Sequence, residues 1–163
     1  MTLWQKSLWG ALVALVIVGG ALSSSEAAAL LRRHYYSSWS YYPARTYYYR
    51  SYFYKPYASY EGYKYHYCIY YTSRPRYVYY YNPYSSTYWG RYDLEKKGYS
   101  ELAAADRKGS LAEIKESAFP APGEMPAIPE SEDGERIPAI DPDDLPKGDV
   151  PKDAPRDSAP GQN

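Results

Sequence analysis

Aromatic and mixed positions alternate most clearly between residues 64 and 92. Tyr or Ile occupies every second position from 63 to 71, and the positions between them carry more varied side chains. A period of two places each set on its own face of a β-strand, and Tyr, Ile, Val and Thr favour strands. Turn-forming residues at 72–75 and 82–85 divide the stretch into three segments. Short connections of this kind join antiparallel strands, so the pattern predicts a three-stranded antiparallel meander, with Gly90 as a candidate β-bulge.

The residues after the meander carry helix signals. Ser100 stands where it can cap a helix that stops at Gly109, and Ser110 begins a capping-box pattern. These signals predict two short helices over about residues 100–117. Helices of this length do not persist alone, so we expect them either to dock on the sheet or to fray.

The C-terminal segment, residues 119–163, holds ten of the fourteen prolines and many acidic residues. Proline lacks a backbone N–H and fixes φ, so the segment is predicted to be a disordered, polyproline-like acidic tail. We expect its beginning, residues 119–129, to fold back across the aromatic face of the meander, and the chain beyond about Ser131 to stay mobile. The expected anchors are Phe119, Met125 and Ile128, and the expected platform, which is also the candidate ligand-binding surface, is Tyr79, Tyr81 and Trp89.

The N-terminal segment, residues 1–29, is typical of a secretory signal peptide. It has a basic residue at Lys6, an apolar run over residues 8–22 and small residues before Leu30. The run is shorter than the roughly 20 residues of a membrane-spanning helix, which favours cleavage over an uncleaved anchor. The segment predicts a secreted, periplasmic or cell-envelope protein that meets the membrane only if the signal stays uncleaved.

Residues 30–62 complete the division of the chain. Tyr doublets and triplets alternate there with Ser, Arg and Pro, without a sustained helix or strand period, which is typical of a low-complexity segment. The predicted fold class is a mostly disordered chain with a small β-rich core. The predicted segments are a signal peptide (1–29), a Tyr-rich segment (30–62), a small β-meander with two short helices (63–118) and a disordered tail (119–163).

The charges of the chain are unevenly distributed, although they sum to zero. Residues 30–100 contain 11 Lys and Arg against 3 Asp and Glu, whereas residues 119–163 contain 4 against 11. The protein therefore has a basic aromatic body and an acidic tail. Interleaved Arg and Tyr also suit single-stranded nucleic acid, but the predicted export argues against that partner.

Residues that could carry catalysis or hold a metal are scarce. The chain has two His and one Cys, and His66 and Cys68 would share a strand face. A zinc site needs three or four ligands, and no further His or Cys stands near this pair in the sequence. A nucleophile pair needs an orienting third group, and no acidic residue on the same strand supplies it. We therefore predict no cofactor, no metal site and no enzymatic activity. A single Cys cannot form an intramolecular disulfide, which leaves Cys68 either buried or paired between molecules.

The meander and the residues after it resemble two kinds of known protein. RYVYYYNPYSSTYWGR, within residues 64–92, resembles the second and third strands of a WW domain, with Asn82 and Trp89 at the matching positions. The resemblance departs from the family because no Trp opens the first strand and no Pro follows the third. YWGRYDLEKKGYS followed by a Pro-rich segment also resembles uncharacterised tyrosine-rich secreted bacterial proteins, which implies export but no particular activity.

Two functional hypotheses remain open at this point. The first is a non-enzymatic structural or interaction protein of the cell envelope or extracellular matrix, whose partner is an envelope or matrix protein or glycan and which could self-associate. The dense tyrosines support it, because such rings bury large areas while their hydroxyls stay hydrated. The alternative is a small binding module that uses an aromatic meander to bind a Pro-rich peptide or a glycan.

Overall fold

A computed structural model describes residues 32–147 of the 163-residue chain, and residues 33–147 belong to one compact unit. The predicted signal peptide and the end of the predicted tail lie outside the described residues. The fold is an antiparallel sheet of seven strands in the order β1-β3-β4-β5-β6-β7, with β2 also paired to β3. The strands are β1 (His34–Tyr36), β2 (Ser40–Tyr42), β3 (Tyr47–Tyr54), β4 (Lys64–Tyr71), β5 (Tyr77–Asn82), β6 (Thr87–Asp93) and β7 (Gly98–Glu101).

The predicted fold class, a mostly disordered chain with a three-stranded meander and two short helices, is wrong. The sheet has seven strands rather than three, and it begins within the segment assigned to low-complexity sequence. In place of the two predicted helices, the described part of the chain has only three-residue 3-10 turns. These turns are Pro43–Arg45, Ala104–Asp106, Leu111–Glu113, Glu116–Ala118 and Pro142–Asp144.

Burial explains why the predicted helices are absent. Leu102 and Ile114 are buried against the sheet, and the chain between them consists of two 3-10 turns joined by short non-helical stretches. The backbone N–H of Leu102 donates to the carbonyl of Trp89 at 2.9 Å, so this part of the chain follows the sheet edge rather than coiling. Packing thus overrides local helix signals that were too short to persist alone.

The strands β1 and β2 lie end to end along the same edge of β3. Their register with β3 breaks at Ser37, whose backbone N–H donates to the carbonyl of Ser51 at 2.9 Å. The hydroxyl of Ser37 in turn accepts from the backbone N–H of Ser51 at 2.9 Å. The two short strands therefore act as one interrupted edge strand.

A β-bulge in β6 lies where the sequence predicted one. Tyr81 pairs with Tyr88 and Tyr80 pairs with Gly90, so Trp89 is the extra residue of the bulged strand. Trp89 faces the side of the sheet opposite Tyr88. This placement decides the surroundings of the one tryptophan that the sequence singled out.

Both faces of the sheet are covered by the chain that follows β7. Residues 102–119, here called the cover segment, pack on the face that we call the cover face. The buried residues of the cover face are Tyr47, Ile69, Tyr79, Tyr81, Tyr88, Leu102 and Ile114. Residues 125–145, here called the strap, pack on the opposite or strap face. The buried residues there are Tyr52, Tyr54, Cys68, Tyr70, Val78, Tyr80, Trp89, Tyr92, Tyr99, Ile128, Ile137 and Ile140.

The strap is extended because its prolines exclude helix, and its isoleucines fix it to the sheet. Ile128 is 1% exposed, as the predicted fold-back requires. The expectation that the anchors end near Ser131 is wrong, since Ile137 and Ile140 are also buried. The two halves of the strap pair with each other, because Ile128 N–H donates to Glu135 O at 2.8 Å and Ile137 N–H donates to Pro126 O at 2.9 Å.

Ion pairs between the acidic strap and the basic strands add to this packing. Arg33 pairs with Asp133 and, at 2.6 Å, with Glu135. Lys64 reaches Glu130 at 2.6 Å. All three carboxylates are exposed, so each pair contributes modestly to stability and the isoleucines carry most of the attachment. Within the described residues, no helix is long and apolar enough to cross a membrane.

Candidate functional site: an uncovered aromatic ladder

Part of the cover face is not reached by the cover segment. It lies over β1, β3 and β4 and consists of aromatic rings in mutual contact. We call this set the aromatic ladder: Tyr35, Tyr49, Phe53, Tyr63, Tyr65, Tyr67 and Tyr84. Only Tyr49 and Tyr67, at one end of the ladder, also pack against the buried cluster of the cover face. The other five belong to neither core cluster.

Strand register builds the ladder from alternate positions. Tyr35 pairs with Phe53, and Phe53 pairs with Tyr65, so the three rings stand in one row across β1, β3 and β4. The rings of Tyr35 and Phe53 stack with centroids 5.0 Å apart, and those of Phe53 and Tyr65 lie 5.9 Å apart. Cross-strand aromatic pairs of this kind are a principal source of sheet stability.

The ladder extends from this row along the strand and to the neighbouring turn. Tyr65 contacts Tyr67 at 5.4 Å, and it contacts Tyr84 in the β5–β6 turn at 5.8 Å. The side chain of Tyr84 is held out by the turn, in which Asn82 Oδ1 accepts from the Tyr84 backbone N–H at 2.8 Å. Tyr84 is 62% exposed, whereas the other six rings are half-buried.

One basic side chain lies beside the ladder, and burial shifts the pKa of one of the ladder's hydroxyls. The ammonium group of Lys55 lies 5.0 Å from the ring centre of Tyr63, a cation–π distance. Burial, with a smaller contribution from a hydrogen bond with Tyr65, raises the pKa of Tyr67 to about 12. The ladder therefore offers apolar ring faces edged by hydroxyls, which suits ligands that present flat apolar surfaces beside polar groups.

The structure does not bring the three sequence-predicted ligand residues onto one surface. Tyr79 and Tyr81 are neighbours on the cover face, where they are 1% and 2% exposed. Phe119 of the cover segment packs on Tyr79, with the ring centroids 6.3 Å apart. Trp89 lies on the strap face, is 7% exposed, and contacts His66 at 4.8 Å. These side chains belong to the two cores, and the accessible aromatic surface lies elsewhere.

His66 and Cys68 do share a face of β4, and both are buried. Burial raises the pKa of the Cys68 thiol to about 12 and lowers the pKa of His66 to about 4. The thiol is thus protonated and the imidazole uncharged near neutral pH. Among residues 32–147, no group of three or more His, Cys, Asp or Glu side chains is placed to hold a metal ion.

Sequence reasoning missed the ladder because most of it falls in or beside the Tyr-rich segment. In β3, Tyr47–Tyr54, tyrosines face both sides of the sheet, so the polar–apolar alternation that identifies a half-buried strand is absent. The signal that could have found β3 is its β-favouring composition over eight residues without Gly or Pro.

Comparison with known proteins finds no matching protein-family model, no similar curated protein and no similar solved structure.

Proposed function

We propose that this protein is an exported, non-enzymatic interaction protein of the cell envelope or extracellular matrix, whose partner docks on the aromatic ladder. The observation that carries the proposal is the ladder itself, a continuous row of half-exposed rings that the chain's own two covering segments leave open. Contiguous exposed apolar surface of this kind is typical of interaction sites. Tyr is enriched at such interfaces because it supplies large contact area with little loss of side-chain entropy.

The proposal that the protein is not an enzyme is supported by the burial of Cys68 and His66, the two side chains best suited to catalysis. Cys68 and His66 are 0% and 2% exposed. A buried thiol with a raised pKa is a poor nucleophile, and the ladder carries aromatic rings and tyrosine hydroxyls rather than acid–base pairs. The partner is accordingly an envelope or matrix protein or glycan, and a second copy of the chain is a further candidate.

A second candidate function is a binding module for Pro-rich peptides or glycans. The strap favours it, because a Pro-rich segment of this same chain already packs in extended form against tyrosines of the sheet. Tyr36, for example, donates a hydrogen bond to the carbonyl of Pro138 at 2.8 Å. Extended Pro-rich segments bind aromatic surfaces with low entropic cost, and the ladder presents a comparable surface on the other face.

Two exposed tyrosines allow a matched test of the ladder. Tyr84 is 62% exposed and belongs to the ladder; Tyr57 is 56% exposed and packs against Tyr60 instead. Purified wild-type protein and the Tyr84→Ser and Tyr57→Ser variants are incubated with the insoluble envelope fraction of the host and sedimented. Wild type and Tyr57→Ser should appear in the pellet, and Tyr84→Ser should be depleted from it several-fold. Equal sedimentation of both variants, or none of the wild type, would rule out docking at the ladder.

Cellular fractionation tests the predicted export. Immunodetection of the native protein in host fractions should place it in the periplasm, the envelope or the medium. Detection in the cytoplasm alone would contradict the localisation, independently of the binding result.

A further inference from the structure

A cleft separate from the aromatic ladder lies at the strap face, on the other side of the β5–β6 turn. It has a volume of about 690 Å³, within the range of small-ligand sites. Trp89 and His66 stand at its floor, the turn forms one wall, and residues 126–131 of the strap form the other. The cleft is thus built from sheet and strap together.

The floor of the cleft contains buried polar atoms that lack partners. The indole nitrogen of Trp89 and Nδ1 of His66 are both buried, and neither has a hydrogen-bond partner among the described residues. The other ring nitrogen of His66, Nε2, lies 3.3 Å from the hydroxyl of Tyr54. Both atoms are closed to solvent, so a ligand oxygen reaches the indole N–H only when the side chains above it move apart. It would then supply the acceptor that the chain itself does not, and a buried donor without an acceptor is costly.

The wall formed by the turn carries small neutral polar groups. Asn82 accepts hydrogen bonds from Tyr84 and Ser85 through Oδ1 alone. Its amide NH₂, for which the described chain provides no partner, remains available as a donor. The hydroxyls of Ser85 and Thr87 lie 2.8 Å apart beside it. The amide NH₂ can donate to a ligand hydroxyl, and the two side-chain hydroxyls can donate to or accept from one.

The rim and the strap complete the chemical character of the cleft. Arg107 and Glu101 form an ion pair of 2.9 Å at the rim, which presents a planar donor group beside a carboxylate acceptor. Pro126, Ile128 and Pro129 supply apolar surface opposite the polar wall. His66 is uncharged near neutral pH, the carboxylate of Glu101 offsets Arg107, and Glu130 adds a second carboxylate, which is paired with Lys64. Nothing in the cleft therefore favours an anionic ligand.

From this arrangement we infer that the cleft is a binding site for a short neutral oligosaccharide. Sugar rings combine an apolar C–H face with a dense rim of hydroxyls that both donate and accept, and the cleft opposes apolar strap residues to amide, hydroxyl and indole groups in the same way. The inference goes beyond the proposed function, because it concerns a different site from the ladder and does not depend on a partner docking there.

The test is isothermal titration calorimetry of the purified protein with two neutral tetrasaccharides, of N-acetylglucosamine and of glucose in β-1,4 linkage. At least one should bind saturably at a single site. Asn82→Asp keeps the Oδ1 acceptor that organises the turn but removes the NH₂ donor, and it should weaken binding about tenfold. Trp89→Phe keeps an aromatic ring but removes the indole N–H, and it should weaken binding to a similar extent.

The matched control is Tyr84→Ser, which alters the same turn on the ladder side and should leave saccharide affinity unchanged. Three outcomes would overturn the inference: neither tetrasaccharide binds, Asn82→Asp binds as tightly as wild type, or binding is lost with Tyr84→Ser and kept with Asn82→Asp. The last would move the saccharide to the ladder. A Pro-rich peptide of residues 124–131 that binds where both saccharides fail would likewise assign the cleft to a different ligand. Whether Tyr84→Ser sediments with the envelope fraction tests only docking at the ladder, and it does not bear on saccharide binding in the cleft.

Discussion

Gly90 in β6 leaves the space that the ring of Tyr99 in β7 occupies. A Cβ on Gly90 would collide with the hydroxyl end of that ring and would lie 2.7 Å from the carbonyl oxygen of Ser100. Tyr99 cannot withdraw easily, because it is 3% exposed and its ring packs on Tyr80 at 5.2 Å. The absence of a side chain at Gly90 is therefore what lets the bulged strand and β7 lie side by side.

Gly90→Ala should destabilise the protein by about 1–3 kcal/mol, the range for overpacking a close-packed core. The measurement is the free energy of unfolding from denaturant titration. Gly123→Ala is the control, since a Cβ there would meet only the carbonyl of Tyr99 at an ordinary 4.0 Å. Equal stabilities of the two variants would show that β6 and β7 adjust freely.

Ile140 tests whether the strap belongs to the cooperative fold. It is 2% exposed within the core of the strap face, so Ile140→Ala should cost about 2–5 kcal/mol through lost burial and the cavity that remains. Ala139→Ser, at an exposed neighbouring position, should leave stability nearly unchanged. Thermal unfolding of both variants measures the difference, and an unaltered melting temperature for Ile140→Ala would mean that the strap detaches without cost to the sheet.

The sequence predicted the parts of this fold where the alternation of side chains is visible. The turns at 72–75 and 82–85, the antiparallel pairing of β4, β5 and β6, and the bulge next to Gly90 were all readable from local chemistry. Strand β3 was not, because Tyr stands on both of its faces and removes the contrast on which the period depends. A residue that is amphipathic by itself can occupy either side of a sheet.

Strand β7 was misassigned for a different reason. Ser100 was interpreted as a helix cap, yet it is 1% exposed and its hydroxyl donates to the carbonyl of Pro120 at 2.8 Å. A buried Ser whose hydroxyl bonds a distant carbonyl and a Ser that caps a helix look alike in sequence. The reason is that both hydroxyls bond main-chain groups, and the sequence does not show which group is bonded. The candidate site was lost for the same kind of reason: which aromatic rings remain uncovered depends on where the cover segment lies, and that is decided by tertiary packing.

Cys68 should be unreactive in the folded protein. It is 0% exposed on β4, and burial raises its pKa to about 12, so both access and thiolate formation are suppressed. At pH 8, an aromatic disulfide reagent should label the native protein only at the rate of unfolding, and should label it at once in denaturant. Rapid stoichiometric labelling of the native state, or an intermolecular disulfide in the folded protein, would contradict this placement.

His66 should make stability depend on pH between about 4 and 6.5. Burial is the main cause that lowers its pKa from 6.5 to about 4, and the nearby charge of Lys64 adds to the effect. Within that window the unfolded chain binds a proton that the folded chain does not, so the free energy of unfolding falls as pH falls. Above pH 6.5 the contribution is fully present, and it amounts to about 3 kcal/mol at most.

The measurement compares wild type with His66→Phe, which keeps a ring against Trp89 but cannot titrate. His34 and the acidic groups are common to both proteins, so their contributions cancel in the difference between the two unfolding free energies. As the pH is lowered from 6.5 to 4.5, wild type should lose about 1 kcal/mol or more of unfolding free energy relative to His66→Phe. Parallel curves would mean that His66 is protonated as readily in the folded protein as in the unfolded chain, and its burial beside Trp89 would then not exclude the proton.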